Sequence, residues 1–135
     1  MKRQYRLSIC FALLLSPVIF ADDCTVIGYH EPGTQIYDGP TICSNVHINN
    51  IDVRGPLIAA NSCLLGLTKI SGPLSSSNTS FETIEEKNLT AEKIQLKNAS
   101  HVSGNITFSL SAGTVYLGKG SWIHGRVING TVINN

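Results

Sequence analysis

The chain has 135 residues, 42% hydrophobic and only 14% charged, with a formal net charge of +1 at pH 7. That length suits one domain with a modest core and is too short for two. The four bases beyond Glu92 (Lys93, Lys97, Lys119 and Arg126) are scattered, which excludes the dense basic face that nucleic-acid binding needs.

The chain opens with Lys2, Arg3 and Arg6, followed by an apolar run over 7–20 and then Ala21 before two aspartates. This is the pattern of a secretory signal peptide cleaved after Ala21. The run falls short of the ~20 apolar residues of a membrane span, and Pro17 interrupts it. The expected mature protein is residues 22–135, one exported domain with no transmembrane segment. Cys10 leaves with the signal peptide, so Cys24, Cys43 and Cys63 remain in an oxidising compartment. One bridge and one spare thiol are expected, with Cys24–Cys43 as the pair that ties the new N-terminus to the body. No CxxC and no histidine at ligand spacing from a cysteine is present, so neither a metal nor a cofactor is expected.

Along the mature chain a unit "apolar, x, Gly, x, apolar" recurs as YDGPT, VRGPL, ISGPL, VSGNI and IHGRV, with glycines at Gly39, Gly55, Gly72, Gly104 and Gly125. The missing member falls at Asn88, the residue type that best replaces glycine where φ is positive. Spacing near 16–17 residues, with a last step of 21, is the mark of a solenoid. The intervening segments 46–53, 93–98, 105–110, 113–118 and 126–133 are β-branched and mostly alternating, so they read as short strands. The only helical pattern, over 83–95, is spoiled by Asn88, Leu89 and Thr90. The expected fold is all-β: a small single-stranded β-helix of about six rungs, stacked at ~4.8 Å into a rod ~30 Å long. Its handedness is left open. The polar stretch 75–92 reads as a loop protruding from the rod, anchored by Phe81 and Ile84; four acids also make it a candidate surface for a cation or a partner.

Residues 102–133, VSGNITFSLSAGTVYLGKGSWIHGRVINGTVI, resemble the repeat of the bactofilins, bacterial β-helix proteins in which a unit "G-x-V/I … x-I-x-G-x-V" recurs down a rod. The resemblance implies a β-helix that assembles end to end, a bacterial source and no catalytic residue. The signal peptide and the three mature cysteines depart from the cytoplasmic scaffold role that the family implies. What carries over is the fold and the tendency to self-associate, in a periplasmic or secreted setting.

Chemistry-bearing residues are few. His47 and His124 alternate with apolar neighbours and are expected to point outward, His30 lies near the N-terminus, and His101, 23 residues before His124, is not one coil from it. The pairs Asp22/Asp23 and Glu85/Glu86 are strand or terminal neighbours whose side chains diverge. GxSxG, glycine-rich phosphate-loop and HExxH motifs are absent from the sequence. Asn78, Asn88, Asn98, Asn105 and Asn129 each begin Asn-x-Ser/Thr, read as solenoid corners in a bacterial protein. Trp122 reads as a cap or, alternatively, as an exposed ring that stacks on sugar.

After Val132 and Ile133 come only Asn134 and Asn135, with no helix, proline or charge cluster to blunt the last rung. Residues 22–32 read as a cap at the other end. Trp122, Val132 and Ile133 are therefore the candidate assembly end, or the candidate ligand contacts. The expected function is structural or surface-binding without catalysis, the partner being a second copy or an envelope or glycan surface. The alternatives are a carbohydrate-binding or adhesin-type β-sandwich and an enzyme on polysaccharide built on Trp122, His124 and Arg126.

Overall fold

A computed structural model describes residues 22–24, 34–90 and 92–135. The expected signal peptide, His30 and most of the expected N-terminal cap lie outside the described residues. Among those described there is no helix and none long enough to cross a membrane. The chain is a β-solenoid of about six turns, every strand pairing parallel with the strand one turn before or after it.

Two sheets run the length of the rod. The first stacks β1 (Asp22–Asp23), β3 (Thr41–Ser44), β6 (Leu57–Ala60), β8 (Leu74–Ser77), β10 (Lys93–Lys97), β13 (Gly113–Leu117) and β16 (Gly130–Asn134). The second is built from β2 (Thr34–Asp38), β4 (His47–Ile48), β5 (Asn50–Arg54), β7 (Cys63–Ile70), β9 (Ser80–Glu86), β11 (His101–Val102), β12 (Ile106–Phe108), β14 (Trp122–Ile123) and β15 (Val127–Ile128). With no antiparallel partner anywhere in the ladder, the β-sandwich alternative does not hold.

Register converts the sequence's alternation into core columns. Thr41, Leu57, Leu74, Ile94, Val115 and Val132 stack one above another on the inner side of the first sheet. Facing them are Ile48, Leu64, Phe81, Val102 and Ile123 and Ile51, Thr68, Ile84, Ile106 and Val127. Each fully buried Leu, Ile, Val or Phe stabilises the stack by ~1.5–3 kcal/mol. Because the partner that covers it sits one coil away, a lone coil cannot capture that energy.

The coil length varies. Steps along the first sheet are 16, 17, 20, 21 and 17 residues, with the extra residues taken up at 87–92, at the 98–100 corner and at 109–112. The protruding loop expected over 75–92 is therefore mostly wrong: Leu74–Ser77 and Ser80–Glu86 are strands, and only 87–92 leaves the sheets. The polarity that suggested a loop has two sources. Ser75 and Ser77 lie on the outer face, and buried Ser76 donates its hydroxyl to the Ser100 hydroxyl at 3.0 Å.

The six corner positions divide between two columns. Gly39, Gly55, Gly72 and Asn88 follow β2, β5, β7 and β9, whereas Gly104 and Gly125 lie between β11 and β12 and between β14 and β15. Positive φ is not what most of them supply: of the six, only Gly39 has it, at 89°. Gly55 and Gly72 are needed because backbone packs on backbone. A Cβ on Gly55 would sit 2.7 Å from the Gly39 carbonyl carbon, and one on Gly72 2.8 Å from that of Gly55. The left-handed corner is instead an asparagine ladder, Asn45, Asn61, Asn78 and Asn98, with φ of 48–56°. In it the Asn78 Nδ2 donates to Asn61 Oδ1 at 2.9 Å. Just inside lie buried Ser62, Thr79 and Ser100, whose hydroxyls donate to the corner carbonyls of Ala60, Ser77 and Lys97.

Candidate functional site

Three features of the rod differ from plain scaffold: its C-terminal rung, a ring stack on the second sheet, and a cationic groove on the first. At the C-terminal rung the core columns run out. Val115 is wholly buried, whereas Val132, the next inward residue of the same column, is 39% exposed. Ile128 and Ile133 of the same rung are also exposed. β16 pairs with β13 alone, so one edge of it presents free N–H and C=O groups. Val132 and Ile133, two of the three residues expected at an assembly end, therefore share the last strand.

Trp122, the third, sits on the outer face of the second sheet at the head of a column formed by His47, Cys63, Ser80, His101 and Trp122. Its indole stacks on the His101 ring at 4.5 Å and 8° between planes, and meets His124 edge-on at 5.7 Å. His101 Nε2 in turn lies 3.0 Å from the Ser80 hydroxyl. The ring is 41% exposed and is not a core residue. The expectation that His101 has no stacking partner fails because the partner is Trp122, 21 residues on. The same step separates Gly104 from Gly125, so the sequence held that signal.

On the outer face of the first sheet the residues between the inward ones form a second pattern. Pro56, Pro73 and Lys93 follow one another up the rod, each just before an inward residue, and Ile58, Ser75, Gln95, Tyr116 and Ile133 stack beside them. A groove of about 360 Å³ is lined by Lys93, Gln95, Lys97, Tyr116 and Asn135. Lys93 Nζ lies 6.0 Å from the centre of the Tyr116 ring.

The interior carries one ionisable anomaly. Glu86 points into the column Val53, Ile70, Glu86, Phe108, and neither carboxylate oxygen has a hydrogen-bond partner. Burial, with a smaller contribution from the Glu92 carboxylate, pushes its pKa from 4.5 to about 8. The sequence reading placed Glu85 and Glu86 on opposite faces, and the register puts Glu86 inward. Cys24 and Cys43 form a disulfide, as expected from the sequence, and stack one rung apart with Cα atoms 4.9 Å apart. The expected spare thiol is not found: none of the described cysteines is free. Among the described residues no group of three His, Cys, Asp or Glu is placed to hold a metal ion.

Fold and surface together define a small parallel β-solenoid with one disulfide-pinned end and one open end. No family model matches the chain, and neither a curated protein nor a solved structure matches it.

Proposed function

We propose that the protein is an exported, non-catalytic β-solenoid that works by self-association, its C-terminal rung stacking on a second copy. The observation that carries this reading is the column ending at Val132, which turns from wholly buried at Val115 to 39% exposed one rung later. A second rung laid against β16 would bury Val132 and Ile128 and satisfy the strand's free edge. The exposed face of Trp122 would be covered by the same event. The first described rung favours a single mode, since the Cys24–Cys43 bond pins β1 over β3 there. Tail-to-tail pairing of open ends is then the closed arrangement, an isologous dimer. The bridge also agrees with an oxidising compartment, which the N-terminal signal pattern requires. Both fit a bacterial periplasm or exterior, as the bactofilin resemblance implies.

The test is the mass of the mature protein by light scattering across a concentration series, beside Val132→Lys. A mass that climbs toward two chains in the wild type and stays at one chain in the variant is expected. A wild-type mass fixed at one chain over the whole series refutes the proposal.

A further inference from the structure

We infer that the outer face of the first sheet, centred on Lys93, Gln95, Lys97 and Tyr116, is a binding site for an acidic polysaccharide. Lys93 and Lys97 stand at the two ends of β10 and both side chains point outward, ~13 Å apart along the strand. A compact anion such as phosphate cannot reach both ammonium groups across that span, whereas an extended polyanion can. Between them, one rung on, the exposed side of the Tyr116 ring lies over Gln95, in register with it. A sugar ring stacks on such an aromatic face through its C–H groups, while Gln95 and Ser75 offer amide and hydroxyl partners to its hydroxyls.

The two lysines are also free to take an external anion. Among the described residues the ion pairs are those of Arg54 with Asp38 and Asp52, on the other sheet. The nearest acid in sequence, Glu92, is held back at the corner. Its Oε2 accepts from Asn88 Nδ2 at 2.7 Å and Thr90 Oγ1 at 3.0 Å. Beyond Glu92 the chain has four bases and no acidic side chain, so the local field favours a polyanion. A single-stranded nucleic acid is the poorer fit: sequence-tolerant binding of that kind relies on several successive aromatic platforms, and this face offers one.

Titration calorimetry of the mature protein with polygalacturonate, dextran and oligothymidylate tests the inference, independently of self-association. Polygalacturonate is expected to bind, more weakly at high salt, and dextran not at all. Lys93→Gln/Lys97→Gln is expected to weaken binding about tenfold, and Tyr116→Ala several-fold at both salt levels. Arg126→Gln, an exposed base on the other sheet, should change it little. All positions are outward and exposed or half-buried, so unchanged far-ultraviolet circular dichroism confirms the fold. Absence of polygalacturonate binding overturns the inference. So do equal affinity for dextran, tighter binding of oligothymidylate, or a loss in Arg126→Gln as large as in the double variant.

Discussion

Replacing Glu86 by Gln is expected to stabilise the protein at neutral pH and to leave it almost unchanged in acid. The carboxyl sits between Ile70 and Phe108 with no hydrogen-bond partner, so the fold accepts it as the neutral acid and resists its ionisation. Its pKa is about 8 in the folded chain against 4.5 in the ordinary state. Below pH 4.5 both folded and unfolded chains hold the proton and there is no penalty. Between 4.5 and 8 the unfolded chain has lost the proton while the folded chain keeps it, so stability falls with rising pH by ~1.4 kcal/mol per unit. Above 8 both are ionised and the loss levels off. At pH 7 the accumulated cost is about 3 kcal/mol, a large share of a small domain's stability.

The Gln side chain has the same length and cannot ionise, so its stability should lack this slope. Urea unfolding of both proteins at pH 4, 5.5, 7 and 8.5 measures it. Curves that start together and separate steadily toward pH 8 are expected, with equal m-values showing that the surface exposed on unfolding is unchanged. Wild-type and Gln curves that stay parallel from pH 4 to 8.5 would refute the reasoning, since the carboxyl would then ionise in the folded chain at no special cost.

Opening the Cys24–Cys43 bridge closes no new contact but frees a loop of 19 residues, which should cost about 3 kcal/mol; thermal melts with and without reductant give the shift. Gly55→Ala places a methyl group against the Gly39 carbonyl, and the overpacking should destabilise by ~1–3 kcal/mol in denaturant titration. Asn78→Ala loses the bond to Asn61 and strains a left-handed corner, an expected loss of ~1–2 kcal/mol by the same titration.

The fold was legible in the sequence because a solenoid repeats its reasons. Glycines at 39, 55 and 72 mark places where two backbones touch, and the strands between them alternate with period two. The legible part fades where the coil length changes. Gly104 and Gly125 satisfy the same local pattern as Gly55 and Gly72 but serve a different corner, and one column counted through all six hides the shift. Residues 75–92 misled for a related reason: in a narrow parallel coil half of each strand faces water, and buried Ser76 is satisfied by Ser100 from the next coil, a contact no local pattern reveals. The Trp122–His101 stack and the lysine groove depend on register between coils, as does the inward turn of Glu86. Each becomes readable only when the 20- and 21-residue coils are counted correctly.

Thr68 extends the argument about Glu86 to a neutral group. It lies inward between Ile51 and Ile84, wholly buried, and its hydroxyl has no partner. A buried hydroxyl without a hydrogen bond costs ~1–3 kcal/mol relative to water, and valine has nearly the same shape. Thr68→Val should therefore stabilise by ~1 kcal/mol at every pH, in contrast to the pH-dependent gain from Glu86→Gln. Its column neighbours on both sides are isoleucines, which leaves the new methyl group in wholly apolar surroundings. The two substitutions act on adjacent coils, Thr68 lying one rung before Ile84 and two residues from Ile70, the neighbour of Glu86. Additive gains in the double variant would mark two independent defects in the core. A Thr68→Val protein that is less stable than the wild type, and more so when Glu86 is also replaced, would refute that account, because it requires the hydroxyl and the carboxyl to support each other inside the rod.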